Sequence, residues 1–356
     1  MTGVLTDLRD RFFGRGRHSV TLPPMDGVMR PNTALDMAPV LAEAEAPDHL
    51  QAGAGGLWFS SGSAVCRLEA GRTETVMRYP APVTALARAA DGRLAIARAD
   101  GGLDLPMPAT GLPGGEARRA ITGLAFDAEG GCLVAFGSAR NPADAWQKDL
   151  LEGGATGSLW RVSPSGEARQ IASGLAWPGP PLPLADGSVL IGESSAARLL
   201  QIGPGGRREV RMTNLPGYPA GLALRRGGYA LCLKAPRNQL IEFILREPAF
   251  CADMIRSVPQ DYWIAPSLHP PRSFLEPLQG GALKQLGQMK PWAPSRSSGL
   301  VVLIDGAFVP ERSFHSRADG QAHGTVSCAV TDEGLAVASV GAARILLLTP
   351  GERNAP

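Results

Sequence analysis

A strand–turn–strand phrase recurs along most of this chain and limits its architecture more than any other feature. It reads VTALARAADGRLAIARADGGLDL from Val83 and ITGLAFDAEGGCLVAFGSAR from Ile121. It returns as PPLPLADGSVLIGESSAARLLQI from Pro180, AGLALRRGGYALCLKAPRNQLIEFI from Ala220 and GTVSCAVTDEGLAVASVGAARILLLTP from Gly324. A weaker copy, HLQAGAGGLWFSSGSAVCRL, begins at His49. Each copy places an apolar strand before a DG, EG or GG turn, where Gly, Asp and Asn supply positive φ at low cost. One such sheet cannot bury both of its faces. A closed ring lets neighbours cover each other and leaves few exposed edges. Six copies within about 300 residues therefore predict an all-β fold, a six-bladed β-propeller. Uneven spacing and the lack of a Gly-His…Trp-Asp phrase exclude a WD40-type array.

The predicted propeller occupies residues 46–349, after a lead-in over 1–45 and before a short tail at 350–356. Within the lead-in, PPMDGVMRPN reads as a loop and TALDMAPVLAEAEA as a short helix. Residues 236–297 interrupt the rhythm as an insertion. There QLIEFILREPAFCADMIRSV carries helical spacing, and a second helix is expected around SFLEPLQGGALKQLGQM. These helices either cap one propeller face or offer Ile241, Phe243, Ile244 and Phe250 to a protein partner or a membrane surface.

Composition narrows the setting. The 44 glycines and 31 prolines suit many short strands and tight turns, and 44% hydrophobic residues suffice for a substantial core. The net charge is +2. The cluster Arg9, Arg11, Arg15 and Arg17 reads as a solvated terminus, so no nucleic-acid partner is expected. Cys66, Cys132, Cys232, Cys251 and Cys328 form no CxxC pair and read as free, buried thiols of a reducing compartment. The first 20 residues lack a signal-peptide pattern and no transmembrane segment is evident, so a cytoplasmic location is expected.

Three phrases carry a family resemblance. DLLEGGATGSLWRVSPSGEARQI from Asp149, LPGYPAGLALRRGGYALCLKAPRNQLIEF from Leu215 and IARADGGLDL from Ile96 run in one order along the chain. Together they resemble strictosidine synthase-like proteins, a branch of the superfamily that includes SMP-30, gluconolactonase and paraoxonase-like propellers. The resemblance implies six blades with a site in the central channel. It also implies relatives that are either Pictet–Spengler-type synthases or calcium-dependent lactonases and esterases. The hydrolytic relatives hold a divalent ion with Glu, Asn and Asp from different blades, as a hard cation requires.

Carried over residue by residue, most of those donors are missing. The first-blade acid falls on Asp48. The Asn-Asp pair of the third blade falls on Thr122 and Gly123, the fourth-blade Asn-Gly on Gly179 and Pro180, and the fifth-blade Asp-Asn on Ala220 and Gly221. The acid/base Glu of the synthase falls near Cys328. The expectation is therefore no calcium of the lactonase kind and no metal ligands.

Candidate chemistry rests on few residues. Asp48 is a candidate general base. Adjacent strand residues alternate faces, so at most one of Asp48 and His49 is expected to see the channel. Cys328, on an inner strand, is the candidate nucleophile, with either the Asp48–His49 pair or His323 as its candidate partner. Arg98 would favour an anionic ligand such as a carboxylate. Trp177, Tyr218 and Trp58 could wall an apolar pocket, as could core aromatics anywhere. Arg237 and Asn238 read as structural, tying the insertion to its blade, and GPGGRR at Gly203 as a blade turn. Three readings follow: a calcium-free channel that binds, and in one version transforms, a small organic molecule; a hydrolase of ester or lactone bonds; or a non-catalytic interaction platform. Kinship at the level of fold does not choose among them.

Overall fold

The computed structural model describes residues 22–349, apart from 274, 278–283, 286–287 and 290–294. Six antiparallel sheets form six blades. The first pairs Pro47–Gly53, Gly56–Ser61, Ala64–Glu69 and Arg72–Arg78. The second has three strands, Val83–Arg88, Leu94–Arg98 and Leu103–Asp104. The third starts at Ile121–Phe126, the fourth at Leu182–Pro183, the fifth at Gly217–Arg225 and the sixth at Thr325–Thr331. The turns follow the chemistry read from sequence. At Asp91–Gly92 the glycine takes φ 91° and the Asp91 carboxylate accepts from the Arg93 amide at 3.1 Å.

The core is a set of seams between blades. Alternate residues of one buried strand feed different seams. Leu231 and Leu233 pack toward the fourth blade, whereas Ala230 and Cys232 pack toward the sixth. Ile96 joins the seam with the first blade, and Ala95 and Ala97 join the seam with the third. This two-sided burial explains why the second strands read as near-continuous apolar runs.

At the ring axis, backbones approach each other where side chains are missing. A methyl group on Gly221 would sit 2.7 Å from Ser327 Cα, and one on Gly179 would sit 3.0 Å from the Ala220 carbonyl oxygen. One on Gly123 would meet the Pro180 backbone closer still. Each glycine thus lets one blade's inner edge press against the next.

Two local expectations are corrected. The segment 33–46 does not form a helix. Its strand Val40–Glu43 pairs with Arg344–Leu348 as the outer strand of the sixth blade, so the ring begins before residue 46. Pro39 stands at the start of that strand and opposes helix continuation. In the insertion, Gln239–Ile244 and Pro248–Ser257 are helical as read, with Asn238 capping the first by accepting from the Leu240 amide at 2.9 Å. Around the second expected helix, Lys284–Gln285 and Gln288–Met289 pair instead as short antiparallel strands. Pro277 and Gly280–Gly281 in that stretch disfavour a helix. The rest of that stretch, the arginine cluster at 9–17 and the tail at 350–356 lie outside the described residues. Cys66, Cys132, Cys232, Cys251 and Cys328 are all free and buried.

Gly221→Ala should destabilise the protein by about 1–3 kcal/mol, the usual cost of forcing an atom into packed backbone. Gly205→Ala, which meets open space, should be nearly neutral. Urea unfolding of the two variants measures the difference; equal midpoints would refute the axial close-packing.

Candidate functional site

The inner edges of all six blades meet at one cavity of about 280 Å³. Asp48, Thr84, Thr122, Pro180, Ala220 and Val326 bring one residue each from successive blades. Of the positions to which the resemblance assigned metal donors, Asp48, Thr122, Gly179, Pro180 and Ala220 line this cavity, whereas Gly123 and Gly221 face neighbouring backbone. Asp48 keeps a carboxylate, while the other cavity positions carry a hydroxyl, a proline ring and small side chains in place of carboxylates and amides.

A cap covers the cavity. The short helix Trp146–Leu151, inserted in the third blade, packs with the helix Pro248–Ser257 through Leu151, Cys251, Met254 and Trp263. Its first residue, Trp146, reaches the cavity wall, as does Leu268 of the long insertion. The insertion thus serves as a lid over one propeller face. Ile241 and Ile244 are buried in this packing, while Phe243 and Phe250 remain exposed.

Asp48 and His49 both line the cavity, against the strict alternation expected from sequence. The pairing of this strand slips between Asp48 and Gln51, and His49 adopts φ 53°, which turns both side chains to the same side. The Asp48 carboxylate accepts from the His49 amide at 2.6 Å, and His49 Nδ1 lies 2.8 Å from Ser60 Oγ. Trp177 also lines the cavity and also has a left-handed backbone, φ 53°. Gly137 makes room for its indole: a methyl there would lie 3.2 Å from the ring. The preceding residue is pinned by the fully buried Glu193 carboxylate, which accepts from the Ala176 amide at 2.9 Å and pairs with Arg198.

The most unusual group is Lys234. It is 9% exposed, lines the cavity, and holds Nζ 4.0 Å from the centre of the Trp146 ring. No hydrogen bond or ion pair to Nζ is found among the described residues. Burial lowers its pKa from 10.5 to about 7, with the negative charge of Asp48 pulling the other way. The amine is thus poised between ammonium and free base near neutrality. Sequence reasoning passed over it, although a signal was present. Lys234 is one of four lysines among 35 basic residues, and it interrupts the apolar strand YALCLKAP. Trp146 was missed because nothing local placed its helix over the channel.

The other predicted residues lie elsewhere. Cys328 is not in the channel: a slip in pairing between Thr325 and Ser327 leaves Val326 at the cavity and turns Cys328 into the seam with the fifth blade. Its thiol points at the Ala230 carbonyl at 3.8 Å, and the neighbouring Cys232 thiol is raised by burial. His323 is fully buried. Its Nε2 lies 2.8 Å from the Arg317 carbonyl, so that nitrogen carries the proton, and Nδ1 accepts from Ser297 Oγ at 2.9 Å. Arg98 is bound to Asp104 at 2.7 Å and lies over the Tyr79 ring. Tyr218 donates to Glu242 at 2.8 Å, and Arg237 holds the other oxygen of that carboxylate at 2.8 Å, which ties the insertion to the fifth blade. Trp58 lies between Arg67 and Arg88.

The carboxylates on the cavity wall are Asp48 and Asp144. Among the described residues, no three His, Cys, Asp or Glu side chains converge on a metal position. A calcium shell needs about six to eight oxygens.

Comparison with known proteins adds the fold and no more. No protein-family profile matches the sequence, and no protein of curated function matches it. Among solved structures, the chain is similar to the calcium-binding protein regucalcin from Agrobacterium tumefaciens. The two share 14% identity over 84% of each chain, with a TM-score of 0.50. A streptogramin B lyase matches over 85% of this chain and 93% of its own at 12% identity, TM-score 0.44. Virginiamycin B lyase from Staphylococcus aureus matches over 86% and 82% at 12% identity, TM-score 0.44. The first of these likenesses supports the six-bladed ring. Among the described residues, no helix is long and apolar enough to cross a membrane.

Lys234→Met should stabilise the fold, because it removes a buried amine whose ammonium form is disfavoured. Between pH 7 and 10.5 the unfolded chain holds a proton that the folded chain releases, so the wild type gains stability as pH rises through that window. The pH-dependent part of the advantage of Lys234→Met should be about 5 kcal/mol at pH 6 and should vanish above pH 10.5. Chemical denaturation at pH 6, 8 and 10 tests this, and a pH-independent difference would refute the shifted amine.

Proposed function

We propose that this propeller is a divergent strictosidine synthase-like protein that binds a small organic molecule in its capped channel without calcium. The observation that carries this reading is the cavity itself. It sits where all six blades meet, is roofed by inserted helices, and sets one titrating amine against aromatic walls. Ligand sites are commonly concave, mostly apolar and furnished with few polar groups. At about 280 Å³ the space suits a small ligand. Trp146 and Trp177 favour a flat, apolar body, and Lys234 favours a carbonyl or carboxylate on it. Asp48 adds one acceptor or proton carrier beside them.

This reading stands ahead of ester or lactone hydrolysis of the calcium-dependent type, because the channel positions that would hold the ion are Thr122, Gly179, Pro180 and Ala220. A role as a protein-interaction platform would leave the cavity without a use.

Benzoate serves as a probe in ligand-observed NMR and calorimetry. Binding should be unchanged by EDTA and weakened about tenfold or more by Trp177→Ala, which removes a large contact surface. It should also weaken as pH rises through 7, because Lys234 loses the proton that pairs with the carboxylate. Binding abolished by EDTA would favour the hydrolase. A lack of binding by benzoate and by neutral aromatic alcohols would favour the platform.

A further inference from the structure

The placement of Lys234 supports more than a passive contact, and the argument rests on the small-molecule reading of the cavity above. A buried amine ordinarily finds a carboxylate or carbonyl, since an isolated buried charge is costly. Lys148 shows the ordinary arrangement: it is 42% exposed and lies 3.6 Å from Glu152. Lys234 has no such partner among the described residues. It is held instead by a strand in the middle of a blade, with Nζ over the Trp146 face and its side chain at the cavity wall. The titratable groups that share the cavity are Asp48, His49 and Asp144. A site built this way leaves the amine's lone pair available to whatever enters.

We propose that Lys234 is a covalent anchor, condensing with the carbonyl group of a small aromatic or conjugated aldehyde or ketone to form an imine held against Trp146. The lone pair on Nζ forms a bond to the carbonyl carbon while the carbonyl π electrons move to oxygen, which takes up a proton. Nitrogen gives up one proton and regains its lone pair, and the oxygen takes up a second proton; the C–O bond of this carbinolamine then breaks, and the oxygen departs as water. Nitrogen's lone pair makes the C=N bond, and the remaining N–H proton is released. Amine and carbonyl give imine and water, with no oxidant or reductant. Asp48, on the cavity wall, is the proton carrier for the oxygen. The Trp146 ring, 4.0 Å from Nζ, offers a face on which a conjugated imine can stack.

The test uses the full-length protein with benzaldehyde and cyanoborohydride, which reduces imines and fixes the adduct. Intact mass and peptide mapping should show a single benzyl group on Lys234. Labelling there should be at least about tenfold faster at pH 7 than on Lys148, because a surface lysine is almost wholly protonated at that pH. The rate should rise between pH 6 and 8. Lys234→Met and Lys234→Arg, each checked for folding by circular dichroism, should lose the rapid label. Lys148→Gln should keep it. In wild type, benzyl alcohol, which cannot condense, should compete and slow the labelling. Labelling of Lys234 no faster than of Lys148, with benzyl alcohol still bound by ligand-observed NMR, would overturn the anchor and leave the cavity reading standing. If neither compound binds, the cavity reading falls, and the anchor with it.

Discussion

The structure depends on how closely the inner edges of the blades approach one another at the axis. Gly123, Gly179 and Gly221 each omit the side chain that would separate one blade from the next. Backbone meets backbone there, and the ring tightens over its third to sixth blades. The polar groups of the cavity include Asp48, His49 and Lys234, with Trp146 and Trp177 beside them.

The polar character of that cavity follows from its dielectric setting. Trp146, Trp177 and Leu268 keep water scarce around Lys234, and scarcity of water disfavours the charged amine. Asp48 and the electron-rich face of Trp146 oppose that tendency without overcoming it. The cap is thus an electrostatic device as much as a cover. Its anchoring network of Arg237, Glu242 and Tyr218 fixes the insertion to its blade.

Much of this was legible in the sequence, for identifiable reasons. Repeated apolar strands and Asp-Gly, Glu-Gly or Gly-Gly turns are local signals, so the blades and their number could be read from them. That Asp48, Thr122, Gly179, Pro180 and Ala220 are cavity positions came from the family resemblance and not from any local pattern. What failed depended on irregularities that alternation cannot anticipate. A slipped pairing at His49 brought two adjacent residues to one side, and another near Ser327 rotated Cys328 out of the channel. Arg98, Tyr218 and His323 were plausible by type, yet each is engaged away from the cavity, by Asp104, Glu242 and the Arg317 carbonyl. Lys234 and Trp146 meet only because a helix from the third blade crosses over a strand of the fifth, a juxtaposition no local pattern encodes.

The strand Val40–Glu43 completes the sixth blade beside Arg344–Leu348, so residues some 300 positions apart share one hydrogen-bonded ladder. A ribosome producing this chain would release the first of these strands long before its partner exists. During that interval its edge stays unpaired and the cavity has no closed wall. Assembly of the cavity is consequently a late event, and slow relative to folding of the individual blades. Loss of a few residues at either end of this ladder would be felt at the channel, on the opposite edge of the same sheet.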